Sequence, residues 1–493
     1  MNHALGRVSI LVLILFGLLL INVNYVQAFQ ANSLAGDPGN GRTFAQQFQS
    51  QRGDIITSDG KVIAESVPVK GIYNYQRRYP HGPEYAPLTG YDSIYSASGI
   101  ELAENRMLAG TDPKLAVRNL VDMITGKHKR GATVGLTINS AAQQAAYSAL
   151  KATGLPGAAV AIDPSSGAIL AMVSVPTFDP NKYATFDGKQ LNKIDNRYRN
   201  STSQPLLNRA LDATYPPGST FKIVVSSTAF SGNGYNPGKV VYAPTNLKLP
   251  NTSKQLINYD NYPCGNGSGR VPVIYAFTVS CNTVFGDIGM KLGGSKLHAQ
   301  ADKFGFNNPN LTIPVPVAQS NYPPVSDSAL TAYSAIGQYS DTVTPLQEAM
   351  LSAAIANHGS LMKPYLVQKV TAPDLTPLES AQQSVLSQTV SSGVAQQVGQ
   401  MMRSVVQNPS GTAHLSAGTG PAASLDIAGK TGTAQNGPNN THLDDAVFTG
   451  FAPYGNPKIA VGVVVQGGGL GADASAPVAV KTIQAYLADQ AKR

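Results

Sequence analysis

Ser219 and Lys222 stand three residues apart in Tyr215-Pro216-Pro217-Gly218-Ser219-Thr220-Phe221-Lys222, a spacing that puts a hydroxyl and an amine on one helical face. A serine becomes a nucleophile near neutral pH only if a base takes its proton. A lysine can serve once burial and a second cation disfavour its charge. The pair therefore offers acyl transfer through a serine ester. Two prolines suit a helix entrance, Gly218 allows a close backbone approach, and Ile223, Val224 and Val225 read as buried helix. Ser219 thus caps or opens a helix whose first N–H groups are free.

Alone, S-x-x-K carries little. Ser58-Asp59-Gly60-Lys61 repeats it on an Asp-Gly turn between two apolar runs, a solvated hairpin tip without a role. Two further groups give Ser219 partners. Ser280-Cys281-Asn282 offers a hydroxyl to relay a proton and an amide to hold a substrate carbonyl or Lys222. Lys430-Thr431-Gly432-Thr433 reads as a strand with Thr431 and Thr433 on one face and Gly432 leaving room for a ligand backbone at the edge. Lys430, on the other face, lowers the pKa of Lys222 by like charge and stabilises a proton relayed to Ser280. Each group also has a plain reading: Ser231-Gly232-Asn233 repeats Ser-x-Asn in a Gly-rich turn, and Lys-Thr-Gly-Thr by itself is a strand running into a turn. Type, order and context together single out the triplet.

The elements that must position these residues follow from periodicity. Val8 to Ile21 is nearly unbroken aliphatic after Arg7, an export segment that approaches spanning length by Phe29. Val26-Gln27-Ala28 is the competing cleavage site; Asn22, Asn24 and Tyr25 look interfacial and favour an anchor over a removed signal. Residues 1–30 are therefore read as tail and transmembrane anchor, 31–152 as an extended pedestal with a helical stretch at Pro113 to Ile124, and 153–493 as the domain carrying the chemistry. That domain opens with an apolar hairpin, Ala158 to Ile162 and Ala168 to Val173, read as central in a sheet. It closes with strands over Ile427 to Ala434, Ala446 to Ala452 and Lys458 to Gln466, and a helix over Pro477 to Ala491. Strands at both ends with helices between them define an α+β domain whose antiparallel sheet, flanked by helices, is completed by distant parts of the chain.

Composition removes other classes. Two cysteines, Cys264 and Cys281, exclude a disulfide framework or a cysteine-rich metal site, although export makes a Cys264–Cys281 disulfide permissible. The seven histidines are scattered without ligand spacing. A net charge of +8 without like-charge blocks speaks against nucleic acid and for anionic envelope surfaces.

With S-x-x-K, S-x-N and K-T-G in order, the chain resembles the class B penicillin-binding D,D-transpeptidases. The likeness covers most of its length, through Arg52-Gly53-Asp54-Ile55, Asn208-Arg209-Ala210, Ile336-Gly337-Gln338 and Thr344-Pro345-Leu346-Gln347. The short pedestal and Ser280-Cys281-Asn282 most resemble the penicillin-binding protein A branch of actinobacteria. The resemblance implies that Ser219 is the acylated nucleophile, Lys222 its base, Ser280 and Lys430 the proton relay and Asn282 the substrate-amide contact. Thr431 and Thr433 would hold the donor carboxylate, with Gly432 between them, and the Ser219 and Thr433 amides would form the oxyanion hole. It further implies peptidoglycan stem peptides ending in D-Ala-D-Ala as substrate, β-lactams as inhibitors, no cofactor, and a membrane glycan polymerase of the shape, elongation, division and sporulation type as partner. Phe448 departs from the tryptophan frequent in relatives; the chain has no tryptophan.

Three alternatives compete. A β-lactamase needs a carboxylate for its deacylating water, yet Thr283 to Gln347 contains no glutamate, only Asp287, Asp302, Asp327 and Asp341. A β-lactam sensor or septal scaffold would carry vestigial motifs, whereas these are complete. Gly467 to Ala472 after Val463-Val464-Val465 resembles a dinucleotide turn, but no later strand completes the unit.

Overall fold

The computed structural model describes residues 2–30, 34, 47–116, 118, 121, 124–125, 129–265, 267–435 and 443–492. Helix α1 (Asn2–Tyr25) runs into a wider turn, Val26–Gln30. Gly6–Gln30, with a mean hydropathy of 2.3 over an 18-residue stretch, is long and apolar enough to cross a bilayer.

The pedestal is built on a sheet of β1 (Ile55–Ile56), β2 (Val62–Pro68), β3 (Tyr75–Arg78) and β4 (Thr133–Leu136). The Ser58 copy of S-x-x-K sits, exposed, on the β1–β2 turn. Arg52-Gly53 has a physical cause. A Cβ at Gly53 would stand 1.9 Å from Ala132 O, and Arg52 and Arg77 each hold the buried Glu101 carboxylate at 2.6 Å, so these buried charges are paired. Beyond the turn Pro113–Leu115, the helical stretch expected at 113–124 falls partly outside the described residues.

Two strands from far along the chain, Val367–Thr371 and Pro377–Ser380, extend this sheet by pairing next to β4. From β4 the chain passes through Asn139, whose side chain accepts from Ala142 N, into α2 (Ser140–Ala152). Although it precedes the Gly154-Leu155-Pro156 turn, α2 packs on the second sheet and on the carboxyl-terminal helix.

The second sheet contains β5 (Gly157–Ile162), β6 (Ile169–Val175), β7 (Ala428–Ala434), β8 (Asp445–Ala452) and β9 (Ile459–Val465) in the order β7-β8-β9-β5-β6, all antiparallel. The hairpin expected to be central is half so. β5 is interior, but β6 forms one edge, buried because Gln143 of α2 bonds both the N–H and the C=O of Met172. The other edge is β7, which carries Lys430 to Thr433. Every residue of β9 is buried, so helices cover both faces. Helix Pro345–Ala356 presses against Gly462, where a Cβ would meet Ala349 N at 2.3 Å. Helix Ser475–Gln490, with α2, covers the opposite face.

Candidate active site

The segment before Ser219 is fixed by the backbone. Tyr215 exchanges two hydrogen bonds with Val343, and Gly218, at φ +55°, donates to Gly337 O at 2.9 Å. The two prolines and this left-handed glycine hold the next turn as a 3-10 helix, Gly218–Phe221. The α-helix proper, α3 (Lys222–Phe230), starts three residues after Ser219 and is buried at all nine positions. Ser219 is half-buried at the wall of a cleft of about 710 Å³, lined also by Ser280, Asn282, Thr431 and Thr433.

Lys222 and Lys430 are fully buried beneath it. Contrary to what the three-residue spacing suggests, Lys222 Nζ does not bond the Ser219 hydroxyl; it lies 2.8 Å from Ser280 O, 2.8 Å from Asn282 Oδ1 and 3.2 Å from Ser280 Oγ, and as a neutral amine it donates to the first two and turns its lone pair to the Ser280 hydroxyl. The buried start of α3 aims the amine down toward these acceptors. Lys430 Nζ donates to the same Ser280 Oγ at 2.9 Å and to Thr431 O at 3.0 Å. Ser280 Oγ therefore lies between two amines, on a backbone at φ +62° that a serine rarely adopts. Burial, then the neighbouring Lys430, pushes the Lys222 amine well below its ordinary range. Burial alone brings Lys430 down to about 7. Neutral amines with lone pairs are thus available near neutral pH, within one hydroxyl of each other.

Ser280 is held from the next residue. Cys281 is joined to Cys264 in a disulfide, with Cα atoms 5.8 Å apart. The bond ties the 255–265 segment, one wall of the cleft, to the start of helix Asn282–Leu292. On the strand side, Thr431 Oγ1 lies 2.6 Å from Thr412 Oγ1.

Gly432 does not line the cleft, and the reason for a glycine there differs from the one read in the sequence. Its Cβ would point inward, 2.9 Å from Pro217 O and 3.0 Å from Val447 Cβ. The missing side chain lets the strand and the Ser219 turn approach each other. The Thr433 backbone also abuts that turn, since a Cβ at Gly218 would be 2.9 Å from Thr433 O. The ring of Phe448, fully buried, lies over Gly429, which gives the departure from tryptophan a packed place.

Several lining residues belong to no segment singled out in the sequence, Thr412, Tyr333 and Tyr259, whereas Gln338 comes from the Ile336-Gly337-Gln338 segment. Leu470 to Ala472, in the segment resembling a dinucleotide turn, line the same cleft. Gly471 there permits close approach, since its Cβ would meet Val447 O at 2.2 Å. Glu348, which directly follows the glutamate-free stretch Thr283 to Gln347, is fully buried behind Thr220 and does not line the cleft. Among the described residues no cluster of His, Cys, Asp or Glu could hold a metal ion.

The family described as the penicillin binding protein transpeptidase domain matches residues 157–484, and the penicillin binding protein A dimerisation domain matches residues 52–134. The chain belongs to the penicillin-binding protein transpeptidase family. Within it, the chain is 39% identical to the peptidoglycan D,D-transpeptidase PbpA of Mycolicibacterium smegmatis over 99% of both chains. It is 30% identical to the peptidoglycan D,D-transpeptidase MrdA of Haemophilus influenzae over 87% of this chain and 68% of that one. Among solved structures, the ceftriaxone acyl-enzyme complex of penicillin-binding protein A from M. tuberculosis superposes with a TM-score of 0.85 at 35% identity, covering 90% of this chain and 100% of that one.

Proposed function

We propose that this protein is a peptidoglycan D,D-transpeptidase that works through an acyl-enzyme on Ser219 and is acylated by β-lactams. The observation that carries the reading is Ser280 Oγ bonded by two buried amines on the floor of a cleft that Ser219 and Thr431 line. Lys222 takes the Ser219 proton as the hydroxyl oxygen attacks the carbonyl between two terminal D-alanines. The Ser219 and Thr433 amides hold the oxyanion, a role in which one donor is typically worth 10²–10³ in rate. Ser280, with Lys430 behind it, passes the proton to the departing D-alanine amine, and an amine of a neighbouring stem then attacks the ester. Asn282 holds Lys222 and receives the substrate amide, and Thr431 and Thr433 bind the donor carboxylate on the strand that Gly432 seats against the turn.

We further propose the division into anchor (1–30), pedestal (31–152) and transpeptidase region (153–493), with α1 leaving everything after it outside the cell membrane. The charge order supports this, since Arg7 precedes the apolar run. A membrane glycan polymerase is the partner class that the anchor and pedestal suit.

The test is a D-Ala-D-Ala peptide or thioester offered with a second amine. Release of D-alanine with formation of the transferred product, and slow loss of a bound penicillin label, are expected. Rapid label loss with penicillin turnover points to a β-lactamase. Acylation without any transfer or hydrolysis points to a sensor or scaffold.

A further inference from the structure

Thr220, the residue after the nucleophile, is fully buried, and its Oγ1 lies 2.8 Å from Pro217 O and 2.8 Å from Glu348 Oε1. A hydroxyl has one hydrogen, and Pro217 O can only accept. If that hydrogen goes to Pro217 O, closing the turn that carries Ser219, the contact with Glu348 is a hydrogen bond only when the carboxyl is protonated and donates. The surroundings of Glu348 fit a neutral acid. It is fully buried, its Oε2 has no partner among the described residues, and an unpaired charge there would be costly. Among the described residues no charged side chain from the packed strands or helices, Lys430 of β7 included, shifts it. Burial pushes it up to about 8, and only the Thr220 hydroxyl pulls the other way.

We propose that Glu348 is a positioning residue for acyl transfer: as a neutral acid it donates to Thr220, which frees the Thr220 hydrogen for Pro217 O and locks the turn that aims Ser219 into the cleft. The role rests on the reading of Ser219 as the acylated residue. Ionisation of Glu348 turns the Thr220 hydrogen toward the carboxylate and leaves Pro217 O without its donor. The turn is packed against Gly432 of β7 at that same carbonyl, so the loss is felt where strand and nucleophile meet.

The experiment measures acylation of the full chain by a fluorescent penicillin, separating the acylation rate constant from the non-covalent dissociation constant, with melting curves taken alongside. Glu348→Gln keeps a donor, and Thr220→Ser keeps the hydroxyl; both are expected within about threefold of the parent at pH 7. Glu348→Leu and Thr220→Val are expected to lower the acylation rate constant about tenfold or more with an unchanged dissociation constant, and the double variant to be no worse than either. The ratio of Glu348→Gln to parent should rise from pH 7 to 9, because only the parent ionises and the lysines are common to both. Leu and Val variants that acylate like the parent, a Gln variant as impaired as Leu, or a flat ratio would overturn the role. If Glu348→Leu does not fold, the Thr220 pair decides. A parent that takes no label on Ser219 sinks the functional reading itself, whereas a labelled parent with indifferent variants sinks only the role of Glu348.

Discussion

Lys222 and Lys430 sit where an ammonium is disfavoured, the first through burial and then the second amine, the second through burial, which brings it to about 7. An amine depressed in the folded state binds fewer protons than in the unfolded chain between the two pKa values. Its penalty is therefore full below the folded value and vanishes above the unfolded one, near 10.4, at about 1.4 kcal/mol per unit of depression. Lys430→Met is thus expected to melt above the parent at pH 6, with the gain shrinking toward pH 10. A lower melting temperature at every pH would contradict the burial account. The same variant removes a like charge from Lys222, so residual penicillin acylation should show its acidic limb moved to higher pH; a limb moved lower would reverse the sign of the coupling. These two lysines were legible in the sequence as types and spacing. What was not legible is direction. Three-residue spacing suggested that Lys222 faces Ser219, whereas the buried start of α3 sends its amine to Ser280 and Asn282.

At the level of elements, the site depends on three pieces of backbone brought close: the turn at Gly218, the edge strand β7, and the wall tied down by Cys264 and Cys281. Gly432→Ala puts a methyl 2.9 Å from Pro217 O. It is expected to cost about 1–3 kcal/mol by overpacking, with acylation lost more steeply than stability as strand and turn separate. A chemical melt and a penicillin time course would show both, and a variant with native stability and native acylation would refute the close approach. The disulfide spans 17 residues of sequence separation, for which loop-closure arguments give about 3 kcal/mol. Cys264→Ala with Cys281→Ala should lose stability of that order and loosen the wall. An unchanged denaturation midpoint would show that the bond constrains nothing. Strands β5, β6, β8 and β9 were legible because each is a mainly apolar run bounded by turn residues, whereas β7, rich in Gly, Thr and Lys, was legible through its Lys-Thr-Gly-Thr segment. Gly432 was visible as a glycine but given a ligand-facing reason, because period two states that it faces away from Thr431 and Thr433 without naming what it meets.

For the whole molecule, the sequence orders anchor, pedestal and transpeptidase region one after another, while the fold interleaves the last two. Strands Val367–Thr371 and Pro377–Ser380 complete the pedestal sheet, and α2, ahead of the Gly154 turn, packs on the second sheet. Long-range pairing of this kind leaves no local mark, since any edge strand of suitable pattern could fill the place. Because α1 is exposed at nearly every position from Gly6 onward and adds no residue to the hydrophobic core clusters, removal of residues 1–30 is expected to leave penicillin acylation within about twofold while shifting the protein from membrane to aqueous fractions. Loss of acylation on truncation would mean that the helix supports the site. The convergence of Ser219, Ser280 and Lys430 on one cleft is the central claim, and mass spectrometry of penicillin-treated full chain tests it most directly. The expected result is one penicillin mass added to the peptide containing Ser219 and absent from Ser219→Ala. An adduct on any other peptide, or one that persists in the alanine variant, would contradict the account.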